Sequence, residues 1–354
     1  MLICPQCEFE NPTANKFCQR CGTSLTQNTC RECGNYVPFD QLDCLHCGAR
    51  AGVTWWAIIS PLADSAAGTP EKENGSVGFS GYLDLQQRYQ LIEPFPPADE
   101  TGVRQGQVLD CQPFQLSLLE ALVLKSHQSD EEAYQDMGWE KDEVGAENWA
   151  NPMEALSVPA IAKPYISLSR EFYHAIPSIH NAWQSSEYGI LLLENRSEFP
   201  LLIDWWSNDD VSLPMIQVLQ WLYEMTELWH AMEEWKCQRS LLIMNNLRVD
   251  PDDQALYLRR LYSDPVNESF SLQDLGRMWQ AMFAESQKTC MDAMTELLTD
   301  IEMEKLASVE AIQERLEAIA QRLQPNPPVA DDGPQTEPFD SVSVFSTPSV
   351  GPSG

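Results

Sequence analysis

Basic residues are scarce in this chain of 354 residues: 22 Lys and Arg stand against 53 Asp and Glu, a formal net charge of −31 at pH 7. Nucleic acids and anionic membranes are bound through clustered Lys and Arg, so this balance argues against both as partners. Long apolar runs are also missing, and none approaches the roughly 20 residues that a membrane helix requires. Hydrophobic residues still make up 43% of the chain, which excludes wholesale disorder.

Cysteine is rare beyond residue 47, where only Cys111, Cys237 and Cys290 occur, whereas eight of the eleven cysteines precede that point. No basic and then apolar leader precedes Cys4, so we expect no signal peptide and a cytoplasmic, reducing location. In such a compartment clustered cysteines favour metal binding over disulfides.

The charge is divided in the same way along the chain. Residues 1–50 hold four basic and five acidic side chains, whereas residues 51–354 carry a formal charge of −30. The sequence therefore separates a nearly neutral head from a strongly acidic body.

The eight early cysteines form four Cys-x-x-Cys pairs, with ten residues between the first two pairs and ten between the last two. A two-residue gap lets both thiolates of a tight turn face one cation, and ten residues suffice for a hairpin that brings the second turn opposite. Each half then supplies four thiolates, which suits tetrahedral Zn²⁺. The alternatives are redox dithiols or a disulfide framework, and the repeated spacing disfavours both. The predicted zinc ligands are Cys4, Cys7, Cys18, Cys21, Cys30, Cys33, Cys44 and Cys47.

This pattern, CPQCEFENPTANKFCQRCG followed by CRECGNYVPFDQLDCLHCG, resembles a double zinc ribbon over residues 1–48. Gly22, Gly34 and Gly48 follow the second cysteine of three pairs, where positive φ is favoured, and Glu8 departs from this rule. The resemblance implies two structural zinc ions and no open coordination position for catalysis. Ribbons of this kind bind nucleic acid in some proteins and other proteins in more, so a nucleic-acid-associated zinc protein stays a weaker alternative.

Beyond the double zinc ribbon (1–50), composition predicts a short strand and flexible linker (51–80), an ordered region (81–323) and a disordered tail (324–354). An acidic insertion is expected near residues 126–150. In the ordered region, strands are predicted at the end of Tyr82–Ile92 and at Gln107–Cys111, Tyr165–Ser167, Tyr188–Glu194, Leu201–Trp206, Leu241–Met244 and Ala255–Leu258.

Helices are predicted mainly in the second half of the ordered region. One follows Pro214, one begins with a capping box of Ser271 and Asp274, and two more cover about 287–301 and 303–323. Tryptophans on these elements, such as Trp206, are expected in the core. Strands that precede helices predict an α+β fold.

The order of these elements is similar to that of a protein kinase domain, with two lobes. RYQLIE at 88–93 resembles the first small-lobe strand, AIPSIHNAW and YGILLLE the segment before the hinge, and SLLIMNNLRVD at 240–250 the catalytic loop. The helix at 270–283 resembles the kinase helix that carries a D-x-x-x-L-G phrase.

The residues of phosphoryl transfer are missing from this outline. PFPPADETG replaces the glycine-rich loop, and prolines offer no N–H to a phosphate. Leu241 falls at the position of the catalytic Asp, Arg239 at that of the histidine, and Arg259–Leu261 near the metal-binding D-F-G, so that Asn246 alone remains. The resemblance therefore implies a pseudokinase, with no catalytic or cofactor-binding residue.

The sequence thus predicts a non-catalytic zinc-binding signalling or scaffold protein whose partners are other proteins. Its arrangement also resembles the N-terminal regulatory part of cyanobacterial 2C-type serine/threonine protein phosphatases, although no D-G-x-G-G motif occurs. A regulatory region of, or partner to, such a phosphatase is the alternative function. A nucleotide-binding, kinase-like enzyme is the competing class.

Overall fold

A computed structural model describes residues 1–62, 81–117, 119–120, 158–185, 187–208, 213–265, 267–286 and 291–323. The expected acidic insertion (126–150), the tail (324–354), most of the expected linker and Cys290 lie outside these residues. Contacts divide the chain into two compact units: Met1–Ser167 with Pro177–Asn195, and Leu168–Ile176 with Arg196–Gly354. Among the described residues, no helix combines the length and apolar character needed to cross a bilayer.

The first unit begins with two small antiparallel hairpins. Strand β1 (Leu2–Ile3) pairs with β2 (Glu10–Asn11), and β3 (Gln27–Thr29) pairs with β4 (Tyr36–Pro38). Each hairpin has a very small core, which consists of two cysteines with Leu25 in the first and with Val37 in the second. Such cores are too small to hold a fold without metal.

A five-stranded antiparallel sheet follows in the same unit. Its strands are β5 (Thr54–Pro61), β6 (Tyr89–Leu91), β7 (Arg104–Asp110), β8 (Ile179–Gln184) and β9 (Tyr188–Glu194), in the spatial order β6-β7-β5-β9-β8. Strands β5 and β9 are buried almost continuously, as expected of central strands covered on both faces.

Strand β5 lies where the sequence predicts a short strand ahead of the flexible linker, and the structure places that strand at the centre of the sheet. It pairs on one side with β7 and on the other with β9, so only residues 51–53 separate residues 1–50, the predicted double zinc ribbon, from the central strand of the sheet. The apolar run Trp55–Ile59 explains this position, because four of its five residues are buried.

A buried polar network crosses the sheet. Arg88 donates two 3.0 Å hydrogen bonds to Asp110, and His180 lies 3.4 Å from Asp110 and 2.9 Å from Glu120. Trp55 stacks on the His180 ring at a centroid distance of 4.0 Å. Burial alone would lower the pKa of His180, but hydrogen bonds to both carboxylates outweigh it and raise that pKa.

The second unit is mainly helical. Its helices are α2 (Leu202–Ser207), α3 (Met215–Glu233), α4 (Leu272–Ser286), α5 (Asp292–Glu302) and α6 (Val309–Leu323), preceded along the chain by α1 (Lys163–Leu168). A hairpin of β10 (Leu247–Val249) and β11 (Leu256–Leu258) lies between α3 and α4. The tryptophan core predicted at Trp205, Trp206, Trp221, Trp229 and Trp279 is confirmed at the last four, which are at most 4% exposed, whereas Trp205 is half-buried.

Three strand predictions are wrong. Tyr165–Ser167 lies in α1, Leu201–Trp206 lies almost wholly in α2, and Leu241–Met244 falls on two 3₁₀ turns, Gln238–Leu241 and Met244–Asn246. Short apolar runs do not distinguish a strand from a buried helix by periodicity. In α2 the buried residues Leu202, Ile203 and Trp206 follow helical spacing, which explains the error.

The helix predictions after Pro214 and Ser271 are confirmed. Pro214 is the N-cap of α3, and the Ser271 backbone N–H donates to Asp274 at 2.8 Å, the reciprocal bond of a capping box. The observed fold is thus a pair of small hairpins followed by a mixed α/β arrangement with a five-stranded sheet. The kinase-like, two-lobed fold stays a prediction.

Candidate metal centres

The structure brings the eight predicted ligands together as two groups of four. In each group the Sγ atoms lie within 4.8 Å of one another, and the groups are Cys4, Cys7, Cys18 and Cys21, and Cys30, Cys33, Cys44 and Cys47. In both groups the first cysteine of each pair is buried, and the exposed one is the last of the four. The two centres therefore have the same architecture.

The distances between sulfurs fit a tetrahedral ion and exclude disulfides. Across the pairs, Sγ–Sγ distances are 3.5 Å for Cys4–Cys21 and 3.6 Å for Cys7–Cys18. A disulfide requires about 2.05 Å. Four sulfurs at about 2.3 Å from Zn²⁺ lie about 3.8 Å apart, close to the observed spacing.

The backbone of each turn positions its cysteines through a residue of positive φ. Gly22, Gly34 and Gly48 have φ values of 78°, 72° and 75°, and Glu8 adopts 55° at the equivalent position. Each of these residues donates its N–H to the carbonyl of the first cysteine of its pair, at 2.8–2.9 Å. The predicted positive φ is confirmed at the three glycines, but their own N–H groups, expected to point at sulfur, donate to carbonyl oxygens instead. Glu8 adopts the same strained conformation without being glycine.

Hydrogen bonds favour a thiolate in each centre. The N–H and side-chain amide of Asn35 lower the pKa of Cys33 to about 6. Burial would raise the pKa of Cys18, but N–H groups of Cys21 and Arg20 and the amide of Asn11 lower it to about 6.

One other thiol in each centre resists ionisation. The Phe9 N–H would lower the pKa of Cys7 and the Ala49 N–H that of Cys47, yet burial and the three neighbouring cysteines raise each pKa to about 12. Four thiolates therefore require a cation at their centre, and the donor set of four sulfurs suits Zn²⁺. Such a site is coordinatively closed and supplies fold stability rather than a catalytic water.

Phe114, just beyond β7, joins both hairpins to the sheet. Its carbonyl accepts a 2.7 Å hydrogen bond from Ile3, and its ring packs on the core around Cys4 and edge-on against Phe39 at 5.0 Å. At Gly52 a Cβ would lie 2.6 Å from Leu109 of β7, so the second hairpin also approaches the sheet closely. Sequence reasoning missed these contacts, since Phe114 lies in no motif.

Large apolar side chains are exposed on the same hairpins. Phe17, Tyr36 and Leu45 are 63%, 65% and 86% exposed, and Phe9 is 37% exposed. Their exposure could not be read from the sequence, because adjacent residues such as Leu25 and Val37 are buried. Aromatic side chains are enriched at protein–protein interfaces, so these exposed groups are candidate contact residues.

The positions compared with kinase residues have other roles. Leu241 is fully buried, and the Asn246 side chain donates to the carbonyls of Ser240 and Arg260, both at 2.9 Å, and accepts from the Arg260 N–H at 3.0 Å. Between β6 and β7, Asp99 accepts from Thr101 and Val103 within its own loop.

Comparison with known families finds that the family model described as Double zinc ribbon matches residues 4–48. The match covers both cysteine clusters, and the two Cys₄ sites are those of two zinc ions in that family. Curated proteins give no significant match to the chain.

Proposed function

We propose that the chain is a non-catalytic zinc-binding scaffold of a signalling pathway, in which the ribbons and a pseudokinase domain dock other proteins. The observation that carries the proposal is the exposure of Phe17, Tyr36 and Leu45 on hairpins whose zinc sites are closed. Bound zinc would hold each ribbon in one conformation and so fix the positions of these side chains. Aromatic residues such as Phe and Tyr are enriched at protein–protein interfaces.

The residues at the compared kinase positions support the proposal that the chain is non-catalytic. A phosphoryl-transfer site needs carboxylates for Mg²⁺ and a base beside them. Leu241 instead fills a core position, and all three described hydrogen bonds of the Asn246 side chain hold its own loop to Arg260 and Ser240. The order of a five-stranded sheet, a long helix and a hairpin supports the kinase-like outline.

The docking role is tested by replacing the exposed apolar groups. Phe17→Ser and Tyr36→Ser, alone and together, should keep two zinc ions per chain and abolish recovery of partners cross-linked to the wild-type chain in its source cells. Leu85→Ser is the matched control, because Leu85 is fully exposed but lies outside the ribbons. Equal recovery with the double variant and the wild type would refute ribbon docking.

Regulation of a metal-dependent serine/threonine phosphatase is the second candidate, favoured by the ribbon-first arrangement of the chain. The same cross-linking separates the two candidates, because a phosphatase domain must then be among the proteins that the ribbon variants lose. Its absence from that set would exclude this candidate and leave the general scaffold.

The competing class, a nucleotide-binding enzyme, is tested by thermal unfolding with ATP or ADP, with and without Mg²⁺. We expect no Mg²⁺-dependent stabilisation. A rise of several degrees in Tm that requires Mg²⁺ would contradict the pseudokinase proposal.

A further inference from the structure

The two zinc ribbons repeat along the chain at an interval of 26 residues, so every position near one centre has a counterpart near the other. Main-chain hydrogen bonds repeat at the same interval. The Cys18 N–H donates to the Thr23 carbonyl at 2.8 Å, and the Cys44 N–H donates to the Ala49 carbonyl at 2.8 Å. Because the main chain is so similar, a difference in zinc binding between the centres depends mainly on side chains.

Asn11 joins the two cysteine turns of the first centre. It is 1% exposed, and its side-chain amide donates to the Phe9 carbonyl at 2.8 Å and to Cys18 Sγ at 3.6 Å. Its Oδ1 accepts from the Gln19 N–H at 2.9 Å. Phe9 follows the first Cys-x-x-Cys pair, whereas Cys18 and Gln19 belong to the second. One buried side chain therefore ties both turns together, and its donors and its acceptor all have partners.

Val37 takes the place of Asn11 in the second ribbon. It is also buried, at 2% exposure, and packs with Cys30 and Cys44. Its isopropyl group can neither donate to sulfur nor accept from a main-chain N–H. The second centre thus has apolar packing at the position where the first has a hydrogen bond to a ligand.

A second side chain distinguishes the two centres in the same sense. The Thr23 hydroxyl lies 3.1 Å from Cys21 Sγ and 2.5 Å from Gln6 Oε1, and Gln6 lies between the two ligands of the first turn. The counterpart of Thr23 is Ala49, whose methyl group cannot form hydrogen bonds. The hydroxyl therefore links the last ligand of the first centre to the opposite turn, and alanine cannot do so.

Two features favour the second centre instead. Asn35 donates to Cys33 Sγ at 3.3 Å, but it is exposed and lies on the same turn as that ligand, so it joins no turns and water competes for its amide. Glu8 has a left-handed backbone where Gly34 adopts one without steric cost, which weakens the first centre about two- to fivefold. Groups that hydrogen-bond to metal ligands typically change metal affinity by about 10–100-fold. The buried Asn11 therefore outweighs both features.

We propose that Asn11, assisted by Thr23, is a positioning residue for zinc that makes the first centre bind the ion about tenfold or more tightly than the second. Zinc binding to such ribbons is coupled to their folding, so a hydrogen bond that forms only in the folded ribbon adds to the metal affinity. The amide donor also offsets the excess negative charge of four thiolates around a divalent ion. When zinc is limiting, the chain should therefore hold one ion, in the first ribbon.

The experiment measures the zinc affinity of each centre in the full chain by competition with a chromophoric chelator. Cys30→Ser leaves only the first centre intact, and Cys4→Ser leaves only the second. We expect the first centre to bind zinc about tenfold or more tightly than the second. In the Cys30→Ser chain, Asn11→Val should remove most of that difference, because it introduces the residue type of the second ribbon. Equal affinities in the two parent chains, or a tighter second centre, would overturn the proposal.

A spectroscopic readout separates the contact with sulfur from a general loss of stability. With Co²⁺ bound in the Cys30→Ser chain, the thiolate-to-metal charge-transfer band reports the electron density on sulfur. Asn11→Val should move this band to longer wavelength, because a sulfur without its amide donor is the better electron donor. An unchanged band would overturn the hydrogen bond to Cys18 as the cause of the tighter binding.

Thr26→Ala is the matched control in the same ribbon. Thr26 is exposed, and its hydroxyl lies 3.4 Å from that of Ser24. The variant should change neither the zinc affinity nor the Co²⁺ band, and a loss equal to that of Asn11→Val would overturn the proposal. If Asn11→Val prevents the first ribbon from folding, Thr23→Ala decides the outcome, because it changes only a half-buried hydroxyl-bearing side chain. Unchanged zinc affinity of the first centre in that variant would then contradict the proposal.

Discussion

At the scale of single residues, Glu8 occupies a position of positive φ that glycine fills in the other three turns. A left-handed conformation costs a non-glycine residue about 1–2 kcal/mol, partly offset by the greater chain entropy that glycine loses on folding. Glu8→Gly should therefore tighten zinc binding at the first centre by about 0.5–1 kcal/mol, two- to fivefold. Competition with a chromophoric chelator measures this affinity for each centre.

Gly34→Ala provides the reverse test in the second ribbon. Its φ is 72° and an added Cβ would meet no atom within 4 Å, so any effect comes from backbone strain and not from a clash. The expected loss of zinc affinity at the second centre is about 1 kcal/mol. Unchanged affinity in both variants would show that these turns tolerate the left-handed conformation freely.

His180 makes the stability of the first unit depend on pH, and the direction of its pKa shift fixes the sign of that dependence. Its pKa is raised in the folded state, so its contribution to stability is present below about pH 6.5 and is lost as pH rises through the folded pKa. The pKa values of Asp110 and Glu120 are lowered despite burial, chiefly by their hydrogen bonds to His180, with Arg88 adding to the effect at Asp110. Their contribution is therefore present above about pH 4 and is lost as pH falls further.

Without the His180 imidazole, the free energy of unfolding should fall less as pH rises above about 6.5. Urea midpoints of His180→Gln and wild type, compared from about pH 5 to pH 8, are expected to converge as pH rises, since the wild type alone loses its bound proton. Parallel profiles would mean that His180 does not carry the dependence. The exposed His46→Gln is the control, and its profile should follow that of the wild type.

At the scale of elements, Phe114 joins two hairpins to the sheet. Phe114→Ala should lower the free energy of unfolding of the sheet unit by about 1–3 kcal/mol, because an aromatic contact and core packing are lost together. Both zinc ions should remain bound, since no ligand changes. Hydrogen exchange should rise at β1 and residues 51–53, and unchanged exchange there would contradict the anchoring role.

In the second unit, the Asn246 side chain is expected to stabilise the loop that contains it. Its side chain makes three hydrogen bonds to the main chain of Ser240 and Arg260, so Asn246→Ala should destabilise the unit by about 2–4 kcal/mol in urea. Asn246→Asp keeps the acceptor but loses both donors and buries a charge, so it should destabilise the unit at least as much as Asn246→Ala. A change below about 0.5 kcal/mol would refute the structural role.

At the scale of the whole molecule, the two zinc centres are expected to act independently. Cys4→Ser and Cys30→Ser should each reduce the metal content from two ions to one, whereas Cys111→Ser, outside both clusters, should keep two. Zinc binding to such sites supplies folding free energy on the order of 10 kcal/mol, so a chelator should unfold the ribbons and leave the helical signal of α3–α6 largely unchanged. One zinc in the wild type would contradict the double ribbon.

The sequence predictions were correct where they depended on contacts within one turn, and they failed where the structure depends on contacts between distant residues. The capping box at Ser271 and the turn glycines were predictable because their hydrogen bonds join residues within one turn. The helix α2 was not, because Leu202, Ile203 and Trp206 are apolar in either conformation and only their burial selects the helix. The place of β5 at the centre of the sheet depends on partners about 50 and 130 residues away, which no local pattern specifies.

The sequence by itself determined the metal chemistry, since two pairs of Cys-x-x-Cys at hairpin spacing place four thiolates around one ion by local geometry alone. It also determined the scarcity of positive charge and the start of the long helix at Pro214. Only the tertiary structure decided that Phe17, Tyr36 and Leu45 are exposed and that β5 joins ribbons and sheet. The physical reason is that burial depends on contacts between distant segments, whereas turn geometry and ligand spacing do not.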